Sequence, residues 1–166
     1  MAYTNKTYVA FDADNDIHYY RLMQAWKQND NTSFNFYDAH DLNNVRVYSE
    51  ESIKRNLQER LRSTKVFILL VGENTKYLYK FVRWEIEQAI KRDLPIIVVN
   101  LNGKRNKDTN LCPLILDDEL SLHVSFNQKI IEKALSSWEA SHKKHRGEGS
   151  TSAYVYGEDV YKAVGL

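Results

Sequence analysis

The chain has 166 residues, 43% of them apolar and 27% charged, which suits one soluble domain with a core large enough to fold unaided. Its 23 lysines and arginines against 22 aspartates and glutamates leave a net charge of +1, so bulk charge gives no reason to expect nucleic acid or an anionic membrane as a partner. The lone cysteine, Cys112, excludes an internal disulfide and stands in no metal-type Cys/His spacing, which points to a reducing, cytoplasmic setting.

In chain order, residues 1–6 are polar and 7–11 read as a short strand, broken by the acidic turn 12–16. An amphipathic helix follows over about 17–28, with Ile17, Tyr20, Leu22, Met23 and Trp26 offered to a core. Residues 34–37 form a second predicted strand, and the polar loop 38–48 after it is long enough to suggest a functional segment. Ser49 caps the next helix, which runs to about Arg62; Glu50 and Glu51 complement its dipole, and Ile53, Leu57 and Leu61 form its buried stripe.

Residues 65–72 and 95–101 are continuous apolar runs of strand length, the pattern of strands covered on both faces by helices, so the sheet is expected to be parallel. No run approaches the length needed to span a bilayer. Between the two runs a helix is predicted from about Tyr79 to Arg92, with Val82, Ile86 and Ala89 toward the sheet. A basic polar loop, 102–110, precedes a strand at 122–126. Asn127 caps a long helix to about Lys144, with Ile130, Ile131, Leu135 and Trp138 inward. Residues 1–146 are thus read as one domain, and 147–166 as a tail that turns and packs back on it.

Five alternations of strand and helix predict an α/β fold, a doubly wound parallel five-stranded sheet of flavodoxin-like order. Ligands of such sheets lie beyond the carboxyl ends of the strands, an edge that collects 11–16, 38–48, 72–79 and 102–110. There Phe81 and Glu85, four residues apart, share one helix face near its N-terminus. A carboxylate beside an aromatic shelf suits a developing cation on a ring-bearing ligand.

With the strand 66–72, Asn74 and the run Phe81-Val82-Arg83-Trp84-Glu85-Ile86, the chain resembles a TIR domain, of the kind found in the TIR-like proteins of bacterial Thoeris antiphage systems. Tyr8-Val9-Ala10-Phe11 resembles the first strand of that family, and Tyr156-Gly157-Glu158-Asp159-Val160-Tyr161 its C-terminal signature. Many enzymatic TIR domains carry tryptophan four residues before the catalytic glutamate; here Phe81 stands there and Trp84 is adjacent to the glutamate. The resemblance implies cleavage of NAD, as substrate and not cofactor, between nicotinamide and ribose to give an ADP-ribose derivative, cyclic or conjugated.

It further implies Glu85 as the catalytic carboxylate, with Phe11, Phe81 and Trp84 as candidate ring platforms. Asp38, Tyr48 and Asn74 are candidate ligand contacts, with the loop 38–48 as a cover. It also implies self-association through TIR–TIR contacts, a phage-derived activator and a separate effector that receives the product. Two other readings stay open. A TIR domain can act only by assembling with others, since fold does not fix function. Alternatively, Asp12-Ala13-Asp14 after a hydrophobic strand resembles the nucleophile motif of haloacid dehalogenase-like phosphatases, in which two such aspartates hold Mg²⁺ and attack phosphate.

Overall fold

The structure, a computed structural model, describes residues 6–29 and 49–166. The predicted strand 34–37 and the loop 38–48, with Asp38 and Tyr48, lie outside the described residues.

Five parallel strands form one sheet in the order of the chain: β1 (Thr7–Ala10), β2 (Val66–Val71), β3 (Ile96–Asn100), β4 (Ser121–Ser125) and β5 (Ala153–Val155). The first four match predicted strands in the order a flavodoxin-like sheet requires. β5 comes from the tail, where three residues with only Tyr154 half-buried carry too weak a pattern to be read as a strand. It pairs with β4 through Ser121 to His123.

The alternation of side chains along each strand divides the core in two. Val66, Ile68 and Leu70 of β2 join one apolar cluster with helices α1 (Ile17–Gln28) and α4 (Gln128–Gly147). Phe67, Leu69 and Val71 join the other, with α2 (Glu50–Arg62) and α3 (Val82–Lys91). All six β2 residues are buried, as a strand covered on both faces must be. The short α5 (Glu158–Ala163) adds Tyr161, fully buried, to the first cluster. Its hydroxyl accepts the Ser125 N–H at 3.3 Å, and the Arg105 guanidinium sits 4.1 Å from its ring centroid.

Caps fall where expected: Ser49 Oγ accepts the Ser52 N–H, and Asn127 accepts the Lys129 N–H. Two details differ from the sequence reading. Leu22, read as inward, is 45% exposed, because Tyr20 and Met23 fix a face of α1 that leaves it outside. α3 begins at Val82, not near Tyr79, since Thr75–Tyr77 form a separate 3₁₀ turn. Between β3 and β4 the described chain carries a 3₁₀ turn, Leu114–Leu116.

The connection after β3 is organised by Asp108. Burial raises its pKa, but hydrogen bonds from Asn102, Leu111, Lys104 and Asn110 outweigh that and hold it at about 2. The basic stretch nearby is tied up in pairs: Lys104 with Asp108, Arg105 with Glu158 and Lys107 with Asp117.

Removing the Tyr161 ring empties a fully buried site where α5 meets β4. Tyr161→Ala is therefore expected to cost about 3–5 kcal/mol, as loss of a buried aromatic does. Urea unfolding followed by circular dichroism measures it. A loss below about 1 kcal/mol would show that the tail helix is not part of the cooperative core.

Candidate active site

The carboxyl end of β2 sets the site. Gly72 follows directly, and a Cβ there would lie 2.2 Å from Asp16 Oδ2, so only glycine lets the turn 12–16 pack against the strand end. The Gly72 N–H donates to Thr75 Oγ1 at 2.9 Å, which locks the chain as it leaves the sheet. After the 3₁₀ turn the Arg83 N–H donates to the Leu78 carbonyl, and Phe81 becomes the N-cap residue of α3 without a side-chain cap. Glu85 thus falls in the first turn of α3, its N–H donating to the Phe81 carbonyl at 2.8 Å.

A cleft of about 450 Å³ opens here, within the size range of small-molecule sites. Phe11 to Asp14, Ile53 and Leu57 of α2, and residues 77–82 line it together with Glu85. The structure therefore brings Phe11, Phe81 and Glu85 to one cavity. Phe11 is mostly committed to the core: it is 1% exposed and stacks on Tyr20 at 4.7 Å. Phe81 is half-buried, with Lys80 Nζ 5.5 Å from its ring.

The structure does not bring the other candidates here. Trp84, one residue and about 100° of helix rotation from Glu85, packs toward α2 beneath Lys54 Nζ, 5.5 Å from its ring. Asn74 lines a separate depression of about 330 Å³ with Asp16, Gly72 and Glu73.

Glu85 is 1% exposed. Burial raises its pKa from 4.5 to about 8, while the nearby Tyr8 hydroxyl pulls it down. Tyr8 is itself fully buried, and its pKa is raised by burial and then by Glu85. The pair is close enough to interact, yet neither Glu85 Oε2 nor Tyr8 Oη has a hydrogen bond of good geometry among the described residues. Buried polar atoms without partners are rare and call for a physical reason. Glu85 lies in the wall of a ligand-sized cleft, where an entering group can supply a partner.

Sequence reasoning missed Tyr8 and Thr75 as parts of the site. Tyr8 was readable, because a tyrosine inside a buried strand needs a polar neighbour for its hydroxyl. Thr75 offered no such signal, since its work depends on where β2 ends.

The acidic turn has a structural task. Asp12 is 1% exposed and accepts the N–H groups of Asp14 and Asn15 and the Asn15 amide. Those bonds occupy the carboxylate that a phosphatase would need as nucleophile. Among the described residues no group of three or more His, Cys, Asp or Glu side chains is placed to hold a metal.

A two-layered α/β sheet whose β2 hands a buried first-turn glutamate to a cleft at the carboxyl edge defines the class as a TIR-like domain. Residues 8–106, more than half of the chain, match the family model for the TIR-like domain of the Thoeris protein ThsB, and the chain belongs to that family. No individual curated protein matches it.

The raised Glu85 pKa sets a stability test. An acid with a higher pKa folded than unfolded binds more protons when folded, so its contribution is lost as pH rises from about 4.5 through 8. At about 1.4 kcal/mol per unit the full loss is at most ~5 kcal/mol. Glu85→Gln, which mimics the protonated group, is expected to unfold at higher urea than the parent at pH 9 and to lose this advantage near pH 5. Equal pH dependence of the two proteins would mean that the carboxyl is not desolvated.

Proposed function

We propose that this TIR-like domain cleaves NAD at the nicotinamide–ribose bond and releases an ADP-ribose-derived signal in antiphage defence. The observation that carries this reading is Glu85: a carboxyl shut away from water, with an unpartnered oxygen, in the wall of a ligand-sized cleft beside Phe81.

The chemistry asks little more of the protein. The electron pair of the breaking C–N bond passes to the nicotinamide nitrogen, so a positively charged ring leaves as a neutral molecule without a general acid. Positive charge moves to the ribose, where an ionised Glu85 in a low-dielectric cleft stabilises it far better than water-exposed carboxylate could. Capture of the ribose carbon by water gives ADP-ribose; capture by a hydroxyl of the same molecule gives a cyclic product, and by another nucleophile a conjugate. Phe81 is the ring platform best placed for nicotinamide, and Phe11 stiffens the opposite wall.

Burial holds Glu85 protonated near neutral pH, because its pKa is about 8. A cationic ring arriving beside it favours the ionised form, so NAD binding releases a proton. Asp38 and Tyr48 remain proposed ligand contacts and the loop 38–48 a proposed cover. Self-association through TIR–TIR contacts, a phage-derived activator, a separate effector for the product and a cytoplasmic location belong to the same reading. No described helix is long and apolar enough to cross a membrane.

Mass spectrometry of nucleotides after incubation with NAD, alone and in extracts of infected cells expressing the protein, tests the proposal. Glu85→Gln is expected to keep the fold and to lower nicotinamide release at least ~10²-fold, the scale for removing one transition-state charge partner. Undiminished turnover would sink the assignment of Glu85, and unchanged NAD in every setting would favour a TIR module that only assembles. In the active parent, kcat/KM should climb with pH toward about 8 and then level, since the free protein must lose the Glu85 proton. A flat profile from pH 6 to 9 would contradict that role.

A further inference from the structure

Tyr77 and Tyr79 are 59% and 64% exposed, an unusual state for two large aromatics at the mouth of a cleft. They line the Glu85 cleft on one side and, on the other, a second basin of about 260 Å³. Charge distinguishes this basin from the depression on the other side of the Gly72 turn. Among the described residues that line it are Lys76 and Arg83, with Thr109 and Asn110, and no acid. The depression on the other side of the Gly72 turn has the opposite character: Asp16 and Glu73 line it, with no lysine or arginine, and Asp16 Oδ2 is buried without a partner.

The two cations already lie by the tyrosine rings. Lys76 Nζ is 5.2 Å from the Tyr77 centroid, and Arg83 Cζ is 5.9 Å from that of Tyr79. Lys76 also donates to the Asn110 carbonyl, which ties the tyrosine wall to the far side of the basin. Beside the Tyr79 ring, the ion-pair partner of Arg83 among the described residues is Glu87, at 3.2 Å, in a pair whose members are both about half exposed. Such pairs are weak and readily exchanged for a stronger anion.

A nicotinamide dinucleotide is an asymmetric ligand, with a positive ring at one end and a diphosphate and adenine at the other. The acid of the Glu85 cleft suits the first end. The second needs cations and a flat aromatic surface, which guanidinium and tyrosine rings supply together. We infer that the adenylate end crosses the Tyr77–Tyr79 wall into the basin, its diphosphate beside Lys76 and Arg83 and its adenine against the exposed tyrosine rings. The inference rests on nicotinamide occupying the Glu85 cleft. It makes the tyrosine wall the ruler that separates a dinucleotide from a mononucleotide.

Titration with ADP-ribose, followed by calorimetry and by amide shifts, tests this without turnover. Arg83→Glu is expected to weaken ADP-ribose binding about tenfold, the effect of losing one charge-assisted contact. Carboxylates are tolerated in a first helical turn, so the variant should fold. Tyr79→Ala should weaken binding and Tyr79→Phe largely restore it. Glu73→Lys, in the acidic depression, should leave affinity within about twofold, as surface charges away from a ligand do. Tighter binding in Glu73→Lys with none lost in Arg83→Glu would place the adenylate in the acidic depression and overturn the inference. Failure of the parent to bind millimolar ADP-ribose would overturn it as well. Normal loss of nicotinamide release in Glu85→Gln, with ADP-ribose indifferent to Arg83, would leave the catalytic reading standing alone. The converse pattern would leave the binding surface standing alone.

Discussion

Strand β2 is apolar on both faces along its whole length, and the position of every other described part follows from burying it. Two faces require two helical layers, so Val66, Ile68 and Leu70 take α1 and α4 while Phe67, Leu69 and Val71 take α2 and α3. A strand so completely covered can release the chain only at its end. There the space is filled by Asp16 against Gly72, and the exit is pinned by the Thr75 hydroxyl. That pin costs α3 a turn compared with its hydrophobic period. In return, Phe81 is held at the helix entrance and Glu85 is turned into the cleft.

The carboxylates of the carboxyl edge show how differently one side chain type can be used. Asp12 accepts three hydrogen bonds from its own turn, and Asp108 is so well supplied with donors that it stays ionised although buried. Both organise loops. Glu85 has only the nearby Tyr8 hydroxyl to pull its pKa down, and burial outweighs it, which leaves the carboxyl protonated near neutral pH. A structural acid is stabilised by its surroundings, whereas in the proposed reading Glu85 gains its strongest partner from the ligand. Its charge state and the occupancy of the site are consequently one equilibrium. If a cationic ring binds there as proposed, it competes with the proton on Glu85, which couples binding to proton release without any moving part.

Much of this was legible in the sequence because it depends on periodicity. The buried runs 66–71 and 96–100 could only be strands, and the four-residue spacing of Phe81 and Glu85 placed both on the cleft whether α3 began at 79 or 82. Trp84 was attractive as an aromatic near the glutamate, but adjacency in sequence is divergence on a helix, and its ring belongs to the α2 contact. What stayed hidden depends on contacts between distant segments. β5 is a strand only because β4 offers an open edge. The exposed tyrosines became informative only once two basins were seen to share them.

The cleft also explains why Glu85 is so dry. Ile53 and Leu57, two of its walls, are members of the same apolar cluster that packs α2 and α3 on the sheet, so the cavity is a gap in the core and not a groove cut into a polar surface. A gap of this kind forfeits packing and is tolerated where something else fills it. Among the described residues α2 meets α3 through apolar contacts and through Lys54 above the Trp84 ring, while Lys80, just before α3, forms an exposed pair with Glu50. In the proposed reading, a flat apolar ring entering beside these helices gains dispersion contacts with Ile53 and Leu57, while its charge meets the buried carboxyl of Glu85. On that reading, shape and electrostatics select the same end of the dinucleotide. Neither feature alone would distinguish a cationic aromatic ring from a neutral one or from a small cation.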